Sequence, residues 1–394
     1  MKKTIIFVAV QIAMASLVQA VLPHAVAGEF GAGKISGKTG VNFRVDNAAS
    51  KDLVDNGDIG FGFFEVDFTS RDLKNLIIGA ELIAVGKIWT DDVQKNAFDD
   101  EGIFQKKVLL KSCYVKYSVP NTGTKILAGR KEFNKSESMD GDSHQGIELS
   151  TEDIPGTTLY LAAINRWLED ASTDYSLDGI QKTWRQGDDT GESVADTVYS
   201  IIAEIDMFED RLTLTPYYNV QKGALSNYGA SFEFESDLNA HMKIGLDGIY
   251  SFYDENTDDP DDEDAASFLI HTTFSYQNFR LGIGYYEMSD DARVDFTAMG
   301  NDTFDPMEEG VYGGDPDDNT IFLDAGYSSD SWKIEIMLGE TDIDATGEGS
   351  TELDVYFTCY ITEVLALELM FVTVDDNDSD LDYRVFAGGL HISF

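Results

Sequence analysis

The sequence predicts an all-β fold, a transmembrane antiparallel up-and-down β-barrel of about 18 strands, with about 16 as the alternative. Three observations carry that expectation: strand-length segments that alternate apolar and polar residues, spacers that alternate short and long, and a last strand that stops on an aromatic residue, Phe394. A barrel in lipid must pair its backbone groups with neighbouring strands, and only every second side chain has to be apolar because the other half faces water.

In chain order, Met1, Lys2 and Lys3 form a positive start, Thr4 to Val18 an apolar core, and Val18-Gln19-Ala20 and Ala25-Val26-Ala27 two small-residue cleavage sites. Residues 1–27 are therefore expected to be a signal peptide cut after Ala20 or Ala27, and residues 28–394 a single barrel domain. The apolar core is short for a membrane-spanning helix, and no stop-transfer charge cluster follows it.

Alternation begins with Ile35, Gly37, Val41, Phe43 and Val45 against Ser36, Lys38, Asn42, Arg44 and Asp46. It recurs with Leu212, Leu214, Tyr218 and Val220 against Thr213, Thr215, Asn219 and Gln221, and with Tyr228, Ala230, Phe232 and Phe234 against Gly229, Ser231, Glu233 and Glu235. Ile321 to Tyr327, Trp332 to Leu338, Leu353 to Ile361 and Tyr383 to Phe394 follow the same rule. Weaker strand segments are Gly57 to Phe68, Leu76 to Trp89, Val108 to Val119, Lys125 to Phe133, Gly146 to Ile154 and Thr158 to Trp167. A charged side chain on the lipid face at mid-bilayer costs roughly 2 to 4 kcal/mol, so one face must be apolar while the other is free to carry charge.

Short connections such as Pro155-Gly156, Glu209-Asp210 and Gln277-Asn278 alternate with long ones such as Thr90 to Gly102, Leu168 to Ala195 and Ser289 to Asp318. Tight periplasmic turns and longer external loops produce that rhythm. A soluble sandwich or solenoid would share the strands but not the rhythm, nor the aromatic residues gathered near strand ends. Composition agrees: 12% aromatic residues and 35 Gly against 7 Pro, with a mean hydropathy of only -0.21. Cys113 and Cys359 are too far apart in strand order to be expected to bond.

A ligand receptor would need a plug domain before its first strand, and small barrels would leave much of the chain unexplained. An open, water-filled channel remains. By parity its wall carries the basic residues Lys38, Arg44, Lys116, Arg130, Arg166, Lys243, Arg280, Lys333 and Arg384. The acidic set is Glu204, Asp206, Glu233, Glu235, Asp247, Asp324, Glu335, Asp354 and Glu368. Most of these are expected to pair across strands, leaving a minority at the narrowest point. The net charge of -44 lies largely in loop runs such as Asp254 to Asp264 and Asp375 to Asp382, which lack the glycine and closing glutamate of a calcium loop. No metal site, cofactor or nucleic-acid partner is expected. Histidines are few and scattered, and no nucleophile motif appears, so an enzyme is not expected.

The segments GKISG (Gly33 to Gly37), ILAGR (Ile126 to Arg130), GIEL (Gly146 to Leu149) and Ile154-Pro155 resemble OprD-like and related Opr-type porins of bacterial outer membranes, and the layout is similar along the whole chain. The resemblance implies an 18-stranded barrel for small-solute uptake, constricted by inward-folded loops and charged wall residues, and a homotrimer. The sequence departs from the carboxylate-selective members, whose basic ladder is sparse here: 72 acidic residues face 28 Lys and Arg. A mild cation preference is expected instead. The constriction expected from an early inward loop sets Arg130, Lys131 and Lys135 against Asp140, Asp142 or Glu137, and 168–195 or 289–318 are alternative lumen occupants. Further lumen candidates are Arg44, Arg166, Glu233, Asp247, Asp324 and Glu335, with Phe394 as the assembly signal read by the barrel-assembly machinery. Expected partners are small hydrophilic solutes and ions, outer-membrane lipid and lipopolysaccharide. An adhesin or surface anchor with a closed lumen is the alternative function.

Overall fold

The computed structural model describes residues 28–30, 33–46, 59–90, 108–132, 143–168, 197–221, 225–255, 265–289, 307, 317–343, 348–376 and 382–394. The expected signal peptide, residues 1–27, lies outside them, as do Lys135, Glu137, Asp140 and Asp142. Regular structure among the described residues is strand throughout. The elements are β1 (Gly28–Phe30), β2 (Gly33–Asp46), β3 (Ile59–Ser70), β4 (Leu76–Thr90), β5 (Val108–Ser118), β6 (Lys125–Glu132) and β7 (Ser143–Ile154). They continue as β8 (Thr157–Leu168), β9 (Val198–Met207), β10 (Leu212–Gln221), β11 (Leu225–Asn239), β12 (Met242–Glu255) and β13 (Ala265–Tyr276). The last are β14 (Phe279–Met288), β15 (Asp318–Ser328), β16 (Trp332–Ile343), β17 (Glu348–Tyr360), β18 (Leu365–Asp376) and β19 (Tyr383–Ser393).

Each strand from β2 to β18 pairs antiparallel with the next, and β19 returns to pair with β2 from Val385↔Asp46 to Ser393↔Lys38. Of the 19 strands, β1 is a three-residue addition to β2, so 18 close the barrel. The expected strand number is the observed one. Closure leaves no edge, which is what lipid demands. The tight turns all lie at one end and include Pro155-Gly156, with Gly156 at φ 68°, and Gln277-Asn278, with Gln277 at φ 53°. The connections at the other end are longer, as the spacing predicts, except 222–224 between β10 and β11 and 344–347 between β16 and β17.

Boundaries shift where the polar face dominates. β3 starts at Ile59 rather than Gly57 and β7 at Ser143 rather than Gly146. β16 runs on to Ile343 and β17 begins at Glu348, which shortens the connection expected over 341–351. These residues are too polar for an apolar-periodicity signal, but the ladder Thr320↔Thr341 and Thr341↔Ser350 holds them in the sheet.

The outer wall is apolar: Val115, Ile126, Ile147, Leu161, Ile201, Leu281, Ile283, Ile321, Leu338 and Phe386 are all exposed there. Cys113 and Cys359 are free and share this outward parity with Val115 and Phe357, respectively. The inner wall carries Asn42, Arg44, Ser200, Asn219, Ser251, Thr320 and Asp354. It also carries two buried apolar patches. One joins Ala162, Ile164, Val198, Ile202, Tyr217 and Ile249, and the other Met370, Val372, Val374, Val385 and Ala387.

The described strand pairs contain five register shifts, of which two lie beside tight turns, at Asp237/Asn239 and Thr151/Ile154, and three lie further up the wall. At the β4–β5 pair the register slips between Glu81 and Leu82, and both Lys111 and Ser112 then reach Glu81, at 3.3 and 3.0 Å. At the β7–β8 pair it slips between Gln145 and Gly146, which moves Arg166 to the outward parity. A third slip lies between Gly60 and Phe61 on β3.

Candidate functional site

Consecutive antiparallel strands bring inward residues at equal height into rows, so the lumen wall can be read strand by strand. On the β11 to β16 wall, Glu233 stands opposite Asp247, and Asp247 opposite His271. The His271 ring sits between two carboxylates, with Nε2 2.7 Å from Asp324 Oδ2 and Nδ1 3.4 Å from Asp247 Oδ1. An imidazolium can donate at both nitrogens in that geometry. Arg280 donates through Nε and Nη2 to Asp324 Oδ1, at 3.0 and 2.7 Å. Asp324 thus serves two partners, His271 and Arg280, from a buried position. Glycine makes the room: a Cβ on Gly282 would overlap both Asp324 and His271. Next along the row, Glu335 pairs with Lys333 at 2.5 Å. Arg280, Asp324, Gly326, Glu335, Met337 and Tyr356 contribute to a recess of about 440 Å³ that includes its open mouth.

A second polar group lines the seam where the barrel closes. His391 of β19 reaches Glu368 of β18 through Nδ1 at 3.0 Å and Asn42 of β2 through Nε2 at 2.6 Å. The ring also meets the edge of Phe63 at 5.3 Å, and Lys38 lies over that same Phe63, 5.9 Å from its centre.

Four of the expected lumen residues, Glu233, Asp247, Asp324 and Glu335, fall together on one stretch of wall. Arg44 also faces inward, nearly buried, opposite Ala387 and Ile59. Lys131 faces inward over the Tyr114 ring at 5.5 Å. Lys135, Asp140 and Asp142 lie outside the described residues. Arg130 is a correction: it pairs with Cys113 and Gln145 on the outer face, sharing parity with Ile126 and Ala128. In the ILAGRK stretch both parities are apolar until the adjacent Arg130 and Lys131, so alternation alone could not assign them, and the register does. The bulge beside Gln145 makes Arg166 the backbone register partner of Gln145 rather than of an inward residue, and the Arg166 side chain lies outside the described ones. Arg384 shares its parity with outward Phe386 and pairs with Thr373. His271 was missed as a wall partner because a lone histidine carries no pattern of its own.

Among the described residues, Lys111 pairs with Glu81, Lys125 with Glu152, Lys243 with Glu235, Lys333 with Glu335 and Arg280 with Asp324. Glu65, Asp67, Glu148, Glu204, Asp206, Glu233 and Asp247 add further carboxylates to the same inward face. The wall is therefore a set of local ion pairs with acid to spare, rather than a basic stripe facing an acidic one.

Chain from a long connection also reaches this wall. Met307, between β14 and β15, is 6% exposed, and its thioether fills the space that a Cβ on inward-facing Gly339 would need. The Met307→Ala substitution is expected to raise single-channel conductance by less than about twofold, since it removes one side chain from the lumen cross-section. A conductance equal to wild type would show that Met307 lies off the conducting path.

A sequence model of the Campylobacter major outer membrane protein family matches residues 38–366. In architecture the chain is similar to solved outer-membrane porins. It aligns with a BenF-like porin from Pseudomonas fluorescens Pf-5 at a TM-score of 0.73 and 9% identity, covering 93% of this chain and 100% of that one. With OccAB4 of Acinetobacter baumannii the TM-score is 0.73 at 12% identity, over 91% and 98% of the two chains. With OccK3 (OpdO) of Pseudomonas aeruginosa it is 0.70 at 14% identity, over 91% and 95%. At these identities the likeness establishes the shared fold. No curated protein matches the chain.

Proposed function

The chain belongs to the Campylobacter major outer membrane protein family, whose members are outer-membrane porins, and from that premise we propose that it is a passive, water-filled channel for ions and small hydrophilic solutes with a mild preference for cations. The family and the barrel fold imply an outer-membrane location and a channel rather than an enzyme. The observation that carries the cation preference is the surplus of inward carboxylates over cations, because charged rings and stripes select ions by sign. Solutes move by electrodiffusion, with no covalent step and no energy coupling. In this reading residues 1–27 direct export, Phe394 is read by the barrel-assembly machinery, and the barrel associates as a homotrimer.

The test is single-channel recording of the refolded full chain in a planar bilayer under a salt gradient. Ohmic openings with a cation-favouring reversal potential are expected. An anion-favouring potential would keep the porin and overturn its selectivity, while silence from a correctly folded barrel would favour the closed-lumen anchor or adhesin.

A further inference from the structure

The recess on the β14 to β17 wall presents opposite charges on its two sides. Arg280↔Gly326 and Gly326↔Glu335 are direct register partners, so a guanidinium and a carboxylate stand in one row with a glycine between them. A Cβ on Gly326 would come no nearer than 3.8 Å to either neighbour, which leaves the floor between the charges open. Both charged groups are held in place. Arg280 donates through Nε and Nη2 to Asp324, whose side chain is 5% exposed, and three of its five N–H donors have no partner among the described residues. Lys333 engages Glu335 through Oε2, and Oε1 has no partner among the described residues.

Residues two strand spacings apart stand roughly 9 to 10 Å from each other. A solute head group whose ammonium and carboxylate are about 3 Å apart spans that gap with a charge-assisted hydrogen bond of about 2.8 Å at each end. A bare carboxylate would reach Arg280 but face Glu335, and a bare ammonium would reach Glu335 but face Arg280. Only a solute that carries both charges satisfies the row. Beyond Glu335 the recess turns apolar: Met337 is the next inward residue on β16, and Tyr356 is the register partner of Glu335 on β17. An uncharged apolar side chain gains there by burial.

We propose that the Arg280, Gly326 and Glu335 row is a subsite in the lumen for net-neutral zwitterions, namely α-amino acids with an uncharged apolar side chain. The carboxylate lies on the Arg280 fork, the ammonium on Glu335 and the side chain against Met337 and Tyr356. That such a solute is cargo rests on the channel reading.

The experiment measures binding of L-leucine to the detergent-solubilised full chain by saturation-transfer NMR. Isocaproate, which lacks the ammonium, and isoamylamine, which lacks the carboxylate, are the comparisons. Wild type is expected to bind leucine at least tenfold more tightly than either. Glu335→Gln should bring leucine down to the level of isocaproate, and Arg280→Gln to that of isoamylamine. Gly326→Val changes no charge and has room for its side chain, so it should fold as wild type and lose leucine by filling the floor. Equal binding of the three compounds by wild type would overturn the proposal without any variant having to fold, as would undiminished leucine binding in Gly326→Val. In a planar bilayer leucine should lower the single-channel current. A barrel that conducts but does not bind leucine would overturn the subsite and leave the channel standing, whereas a silent barrel that binds leucine would overturn the channel and keep the subsite.

Discussion

Replacing Gly37 by valine is expected to prevent the barrel from closing. Gly37 lies on β2 at the seam, where its N–H donates to the Phe394 carbonyl and the Phe394 N–H donates to the Gly37 carbonyl, both at 3.0 Å. On one side a Cβ would overlap the Glu65 carbonyl of β3, and on the other it would come within 2.7 Å of the Phe394 ring. The backbone contact cannot give without breaking the β2–β3 ladder, and the ring is held by stacking on Phe64, with centroids 6.1 Å apart. A side chain here must therefore displace either a ladder or the last residue of the closing strand. Overpacking of a fixed site costs about 1 to 3 kcal/mol, and at a seam it falls on the hydrogen bonds that remove the open edge, so lipid adds the cost of unpaired backbone groups. The readout is heat-modifiable migration of protein refolded into lipid. Gly37→Val should lose the folded form and Gly37→Ala should keep a reduced fraction. Gly86→Ala is the control, because a Cβ there meets nothing within 4 Å. A folded fraction for Gly37→Val equal to that of Gly86→Ala would mean that the seam does not depend on this close approach.

The fold was readable because lipid imposes a period of two on a long chain, and the meander then pairs each strand with its successor. The heights of wall residues were readable in the same way. Asp247 lies six residues after His241 and His271 six before Gln277, both counted from tight turns at the same end, so their meeting across β12 and β13 could have been found from turn positions alone. The faces were less secure. One bulge reverses parity at Arg166, and nothing in the local sequence announces it, because a bulge is a property of the pairing and not of the strand. At Arg130 the apolar run Ile126-Leu127-Ala128 supports either face, and only the partners Cys113 and Gln145 decide. The approach of Met307 to Gly339 joins a long connection to a distant strand, a contact that periodicity does not encode.

Asp324→Ala should both weaken the barrel and move its selectivity toward anions. The carboxylate holds Arg280 at 2.7 Å through one oxygen and His271 at 2.7 Å through the other. Its side chain is only 5% exposed, so its removal strands two partners next to a hole bounded by Gly282. Breaking a buried pair from one side typically costs about 3 to 5 kcal/mol, and the lower end applies because the Arg280 side chain is nearly half exposed and water can meet it. Asp324→Asn separates the two effects: it keeps the volume and one acceptor, so most of the stability should return, but it removes the charge, so the reversal potential should still shift. Glu233→Gln, on an exposed wall acid two strands from His271, should shift the potential less and leave denaturant stability unchanged, since no close ion pair is broken. If Asp324→Ala and Asp324→Asn both kept the wild-type potential, the row would be a structural clasp outside the conducting path, and the cation preference would have to arise elsewhere. If only the alanine variant lost stability while both shifted the potential, one carboxylate would be acting in two ways. It would hold the wall together through its two partners, and it would set the field that a permeating ion crosses.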